Sequence, residues 1–444
     1  MNDAAALDLA GRALTLARET GAQAAEVSVS IVRRFHAEAR ENVVARLEGS
    51  TGKGLFLRVF RDGRKATLST SDFSDEGLRD AVVRAVAHAD LVSPDEFAGL
   101  PDEVAPATGM DLDLHDPRIA DRDGTEKVDE ALSLERLIRA ADARVVNSSG
   151  SHYTDAVAVT AMANSTGFAA AYPWTRAGRS TGPIALDGEV KRIGQYGTAA
   201  RRFEDLETSE SVAVTAVQRA VNLFGARKPP TMRVPVIFER DVAAALLDDL
   251  FAAVSGANVA VGNSWLSGRV GNRIGSDLVT IVDDGRVPGG LGSAPFDGEG
   301  VATRRTPVFE RGVLRSFLYD TYYARKLGAA TTGNSTGGGV GPSNFYLEPG
   351  SMSLAELIAA TPQGVLVMDT IGFATEHASG TYSRGARGFF IEGGELAYPI
   401  DEFTVAGQYT DMLAGVDAVA NDLRFDASVI SPSFRIAEMT VSGN

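Results

Sequence analysis

The chain contains no cysteine, and that single absence removes disulfides, thiolate catalysis and every cysteine-containing metal site. It also fits a reducing compartment, where disulfides would not persist. Lysine is nearly as scarce. The six residues are Lys53, Lys65, Lys127, Lys191, Lys228 and Lys326, so Arg carries most of the positive charge. With 43 Lys and Arg against 58 Asp and Glu, the net charge is −15. Phosphate backbones reward clustered cations, so no nucleic-acid partner is expected. No stretch approaches the roughly 18 apolar residues of a membrane span. The start lacks the basic region and apolar run of a signal peptide, Arg12 being its first cation. The expected location is the cytoplasm, with no membrane contact.

What is present is a chain of 444 residues, 44% of them hydrophobic, long enough for two domains with a substantial core. Ala4 to Thr20 has helical spacing and ends at Gly21, a C′ glycine. Ala25 to Glu38 alternates as a strand. Gly54 to Phe60 and Ala66 to Thr70 flank Asp62-Gly63, a hairpin signal. Ser74, followed by Asp75 and Glu76, opens a helix to about Leu91. Pro94 to Thr125 reads as a long surface excursion. A helix over 126–143, strands over 145–163 and 167–172, and a helix from Ser209 to Phe224 follow.

Arg227-Lys228-Pro229-Pro230 is the best boundary, because paired prolines fit neither a helix nor a central strand. Beyond it come a strand at 234–238, a helix at 239–255, and short strands divided by Gly, Asn and Asp turns. The expected fold is α+β: an N-terminal mixed α/β domain over 1–227 and a C-terminal domain over 231–444 dominated by antiparallel sheet.

Few residues offer chemistry. His36, His88, His115, His152 and His377 are the only histidines, and no two have the spacing of a zinc-binding helix. His36, His88 and His115 read as structural or surface residues. His377 lies in a Gly/Ser-rich loop, where functional residues collect. Gly333-Asn334-Ser335-Thr336-Gly337 fits the G-x-S-x-G of serine hydrolases, with Asp369 and His377 following in order. An elbow needs a buried strand before the serine and a helix after it, whereas Gly338 to Pro342 cannot start a helix. A flexible glycine loop is the expected reading. No glycine run has a phosphate-binding context.

The C-terminal half adds longer patterns. Pro295-Phe296-Asp297-Gly298-Glu299-Gly300-Val301, Tyr323 to Gly328, Tyr382 to Phe389, Glu392 to Pro399 and Glu438 to Asn444 together resemble the TldD/PmbA family in order and spacing. The likeness is strong over 230–444 and looser over 1–225. In the TldD branch a helix after a strand carries HExxxH, and a cysteine near the C-terminus completes a zinc site. That helix position falls here on Asp248, Asp249 and Ala253. Both histidines and the cysteine are gone, which is similar to the PmbA (TldE) branch.

The resemblance implies a non-catalytic subunit of a zinc peptidase complex that processes peptides and unfolded polypeptides. No catalytic residue and no metal are expected in this chain, the zinc belonging to a TldD-like partner. His377, Tyr382, Ser383 and Arg384 are the candidate residues of the substrate cleft, and the loops over 334–344 and 375–387 its candidate walls. The alternatives are a homodimeric peptide-binding protein without enzymatic activity, and a serine hydrolase using Ser335. Asp249 interrupts the apolar face of its helix, formed by Val242, Ala245, Leu246, Leu250 and Ala253. It is expected as a solvated acid on the surface. Buried, it would need a hydrogen-bonded or ion-paired state, with Arg the natural partner.

Overall fold

The computed structural model describes residues 2–102, 111–372 and 375–443, so part of the Pro94–Thr125 excursion lies outside the described residues. In the first half, α1 (Asp3–Glu19) precedes β1 (Ala24–Arg40), β2 (Val43–Arg61) and β3 (Arg64–Thr70). Next come α2 (Asp75–Ala89), a single-turn α3 (Pro117–Ala120) and α4 (Gly124–Ala141). β4 (Val145–Asn164), β5 (Ala169–Asp187), β6 (Val190–Ile193), β7 (Tyr196–Ala200) and α5 (Ser209–Val221) complete it.

Local chemistry sets several of these boundaries. The Ala5 amide donates to Asn2 Oδ1 at 3.0 Å to cap α1, and Gly21 takes the left-handed conformation that ends it, at φ +103°. Ser74 caps α2 by accepting from the Gly77 amide at 3.1 Å. Asp62 and Gly63, at φ +50° and +71°, turn β2 into β3 as expected. A second two-residue turn, Glu41-Asn42 at φ +54° and +62°, joins β1 to β2. β2 therefore starts eleven residues before the expected Gly54.

These strands form one antiparallel sheet in the order β3-β2-β1-β4-β5-β6, with β7 pairing β5. Alternate side chains of β1 divide its faces. Val27, Val29, Ala37 and Ala39 pack under α1, α2 and α4. The opposite face meets the C-terminal half near the start of β1. There Phe168 stands edge-on to Phe296, with ring centroids 5.1 Å apart, and Arg58 Nη1 reaches Glu26 at 2.5 Å and Glu299 at 3.6 Å.

The second half begins with β8 (Met232–Phe238), α6 (Arg240–Val254) and α7 (Gly256–Ala260). β9 (Ile281–Asp284), β10 (Arg305–Glu310), β11 (Val313–Leu314), α8 (Thr321–Lys326), β12 (Phe345–Leu347) and α9 (Leu354–Ala359) follow. Then come β13 (Gln363–Ile371), β14 (Thr375–Glu376), β15 (Thr381–Glu392), β16 (Glu395–Gln408), α10 (Tyr409–Ala414), β17 (Val416–Val419), β18 (Val429–Ile430) and β19 (Phe434–Ser442). One sheet runs β11-β10-β9-β12-β18. The other runs β13-β8-β19-β16-β15-β14, and an added β13–β15 pairing closes five of its strands into a ring. The fold is α+β, with mostly antiparallel sheet in this half. Not all its strands are short: β15 and β16 have 12 and 14 residues. The main core joins both sheets to α6 through Phe238, Leu246, Leu250, Phe345, Phe403 and Phe434. Among the described residues no helix is long and apolar enough to cross a membrane.

Candidate functional site

α6 leaves β8 through Glu239, whose carboxylate accepts from the Asp241 amide at 2.9 Å as the N-cap. The helix buries Val242, Leu246, Leu250 and Ala253 against the sheets. The three positions that the resemblance singles out on it have different surroundings. Asp248 is exposed, Asp249 is half-buried, and Ala253 is a fully buried methyl.

Asp249 is not the solvated acid expected from the sequence. Its Oδ2 accepts from Arg384 Nη2 at 2.7 Å and Thr375 Oγ1 at 2.7 Å, with Tyr409 Oη at 3.4 Å. Residues on α6, β15, β14 and α10 thus converge on one carboxylate oxygen. The guanidinium supplies the positive charge that a half-buried carboxylate needs. Although Asp248 is exposed at the surface, the protein crowding one side of its carboxyl and the neighbouring Asp249 raise it above its ordinary range, while Arg384 and His377 oppose the rise.

β15 also corrects the expected loop over 375–387, since 381–387 belong to a long strand. Tyr382 and Arg384 lie two apart and share a face, with the Arg384 guanidinium 5.9 Å from the Tyr382 ring centre. Tyr382 is buried edge-on between Phe238 and Tyr409, and burial pushes its phenol well up. Ser383, one residue off in that alternation, points to the opposite face and is separated from the group. His377 is half-buried beside it: its carbonyl accepts from the Trp265 amide at 3.1 Å, and Trp265 stacks on Tyr409. The His377 Nδ1 and Arg384 Nε atoms are buried without a hydrogen-bond partner.

Arg384 reaches a cleft of about 950 Å³ that the sequence reading missed, because both halves of the chain build it. Lys191, Arg219, Arg240, Arg384 and Arg387 line it, against Glu239, Asp241 and Asp369. Most of these charges are matched in pairs: Arg219 with Glu239 and Asp241, Arg387 with Asp369, and Arg384 with Asp249 behind the wall. Burial raises the Glu239 carboxyl, with Asp241 adding to the effect. Residues 369–371 of β13 pair with β15 on one side, whereas β8 pairs only with 365–367. Among the described residues, the far edge of 369–371 has no ladder partner, and Asp369 and Thr370 border the cleft.

Ser335 stands in another setting. Its hydroxyl accepts from the Gly337 amide at 3.1 Å, and its own amide donates to Asp297 at 2.9 Å. Asn334 donates to Asp283 at 2.7 Å and to the Gly341 carbonyl at 3.1 Å, tying the loop to β9. Arg58 bonds the Gly337 carbonyl. The glycine loop is therefore pinned by buried polar contacts, and Ser335 bridges to Val340 rather than opening a helix.

Models of the PmbA/TldA metallopeptidase domain 1, central domain and C-terminal domain match residues 25–89, 117–224 and 231–443. The chain belongs to the PmbA/TldD family. A metalloprotease PmbA homolog of Haemophilus influenzae is 33% identical over 97% of this chain and 95% of its own. Metalloprotease PmbA of Escherichia coli O157:H7 is 32% identical over 94% and 92%. The crystal structure of TldE from Thermococcus kodakarensis has the same fold, with a TM-score of 0.89 at 23% identity, over 98% of this chain and all of that one. A Bacteroides thetaiotaomicron crystal structure superposes with a TM-score of 0.92 at 27% identity, over 98% of both chains.

The family's metallopeptidase description raises the question of a metal at α6. A catalytic zinc takes three protein ligands. Ala253 has no lone pair, Asp249 is engaged by Arg384, and Asp248 alone faces outward. This donor set does not fit zinc.

Proposed function

We propose that this chain is a non-catalytic subunit of a PmbA/TldD-type zinc metallopeptidase, working in the cytoplasm on peptides and unfolded polypeptides. It shapes the substrate cleft for a TldD-like partner that carries the metal. The observation carrying this reading is the Asp249–Arg384 pair. Where zinc chemistry would need histidine and an unengaged acid, the helix offers a carboxylate already neutralised by a guanidinium. The names of the curated relatives give the reading its peptidase setting.

In this account the chain binds and orients. An extended peptide adds its backbone to the open edge of residues 369–371, exchanging main-chain hydrogen bonds with β13. Arg384, whose side chain reaches the cleft, serves a peptide carbonyl or terminal carboxylate. His377 and Tyr382 do not line the cleft; Tyr382 is buried behind Arg384 between Phe238 and Tyr409 and supports it from within.

Co-purification from the native host tests the assembly. The expected eluate contains a zinc-bearing TldD-like chain in equal amount, while a pure homo-oligomer recovered at every salt concentration would overturn the reading.

A further inference from the structure

The sheet face turned away from the helices carries a group of side chains that the cleft does not use. β1 and β4 pair so that Glu38 lies opposite His152, and His36 opposite Thr154. His36 and Glu38 are two residues apart, so they share a face, and His152 joins them from the next strand. His36 Nε2 and His152 Nδ1 lie 3.1 Å apart, with the rings stacked at a 5.4 Å centroid separation. One ligand-type atom from each of His36, Glu38 and His152 falls within 4.8 Å of the other two. Among the described residues this is the only such group of three.

Two further features point to a ligand. Gly150 stands beside the group at φ +122°, and a Cβ there would lie 2.9 Å from His152 Nε2 and 3.0 Å from Glu38 Oε1. Glycine keeps that space clear. On the other flank, Glu48 of β2 faces His36, its Oε2 3.8 Å from His36 Nδ1, and Arg46 holds the same carboxylate at 2.6 Å. At that distance Glu48 makes no hydrogen bond to His36, but its charge beside Nδ1 favours the proton there and leaves Nε2 its lone pair.

We propose that His36, Glu38 and His152 form a binding site for a divalent transition-metal ion of the zinc class. Two imidazoles and one carboxylate are a donor set for such an ion, and they leave a coordination position for water. Zinc–nitrogen bonds of about 2.0–2.1 Å in tetrahedral array put two ligand nitrogens roughly 3.3 Å apart. The 3.1 Å gap is already near that spacing. The donors stand on paired strands rather than loops, which fixes their mutual positions. Because all three are half-exposed, the ion exchanges with solvent and is not a folding staple. The site departs from the expectation of a metal-free chain, which was drawn from α6 and from the missing cysteine.

The test uses the full-length chain after chelator treatment, titrated with Co²⁺ and then Zn²⁺. It is followed by visible absorption and calorimetry. One equivalent of Co²⁺ is expected to bind with a visible d–d band, and Zn²⁺ to displace it. His36→Ala, His152→Ala and Glu38→Gln each lose binding by at least about tenfold, and Glu48→Gln weakens it by about tenfold through His36. The exposed His88→Ala binds as wild type. Unfolding curves without metal show whether each variant is folded, and Glu38→Gln serves if a histidine variant is not. Absence of saturable binding would overturn the proposal and leave a proton shared between the two rings. Binding unchanged in folded His36→Ala and His152→Ala would overturn it equally.

Discussion

Asp249 and Arg384 meet at 2.7 Å although 135 residues separate them, joining α6 to β15 at the edge of the cleft. The same carboxylate oxygen also takes the Thr375 hydroxyl, so three chain segments depend on one acid. Breaking such a pair from one side leaves a half-buried charge uncompensated, whereas removing both sides does not. Arg384→Met alone is expected to cost about 2 kcal/mol, with Asp249→Leu/Arg384→Met costing less than the sum of the single changes. A double-mutant cycle by urea unfolding checks this. Strict additivity would mean the pair is not coupled.

Placing an HExxxH pattern on α6 should not create a zinc site. Ala253 is 1% exposed in the main core, so Ala253→His forces a ring into filled space at a cost of about 2 kcal/mol. In a His36→Ala background, Asp248→His/Asp249→Glu/Ala253→His is expected to bind no zinc, because the partner cation and cysteine-free surroundings remain. Elemental analysis after dialysis reads the outcome.

Stability should fall as pH rises from about 4.5 to 8. Burial pushes Glu26 from 4.5 up to about 8, and Asp297 from 3.8 up to about 7, Glu299 adding to both. A raised carboxyl holds its proton in the folded state after the unfolded chain has released it. Its contribution is thus full below the ordinary value and lost as pH passes the folded one. Thermal unfolding from pH 5 to 8.5 should show a declining midpoint, flatter in Glu26→Gln. A midpoint rising through that window would contradict the assignment.

How far the sequence reaches is clearest at the turns and strands. Local signals placed α1, α2 and the Asp62-Gly63 hairpin, since caps and turn glycines act within a few residues. Glu41-Asn42 escaped because neither residue is glycine, although both take positive φ. The first half of β2 is exposed throughout and shows no apolar alternation. Its strand state comes from pairing with β1. The Arg384-Gly385-Ala386-Arg387 segment reads as a loop by composition, yet just beyond it Gly388 lets β13 approach: a Cβ there would lie 1.9 Å from the Leu366 carbonyl oxygen. Candidate cleft residues were named in one dimension, but their assembly needed α6, β14, β15 and α10 in place. His36 and His152, 116 residues apart, meet only through the β1–β4 register.

Ser335→Ala should leave peptide turnover by the assembled complex unchanged. The hydroxyl accepts the Gly337 amide, so its loss is expected to cost about 1 kcal/mol in stability and nothing in rate. Abolished turnover with intact assembly would restore the serine-hydrolase reading.

The central claim is that chemistry comes from a partner while this chain builds the cleft. The direct measurement is peptide cleavage by this chain alone, by a TldD-like partner alone, and by the equimolar mixture, with Arg384→Ala and His377→Ala tested in the mixture. The account predicts no cleavage by this chain, strong cleavage by the mixture that a chelator abolishes, and a fall of about tenfold with Arg384→Ala from the lost charge-assisted contact. Robust cleavage by this chain alone after exhaustive metal removal, or partner activity indifferent to its presence, would contradict it.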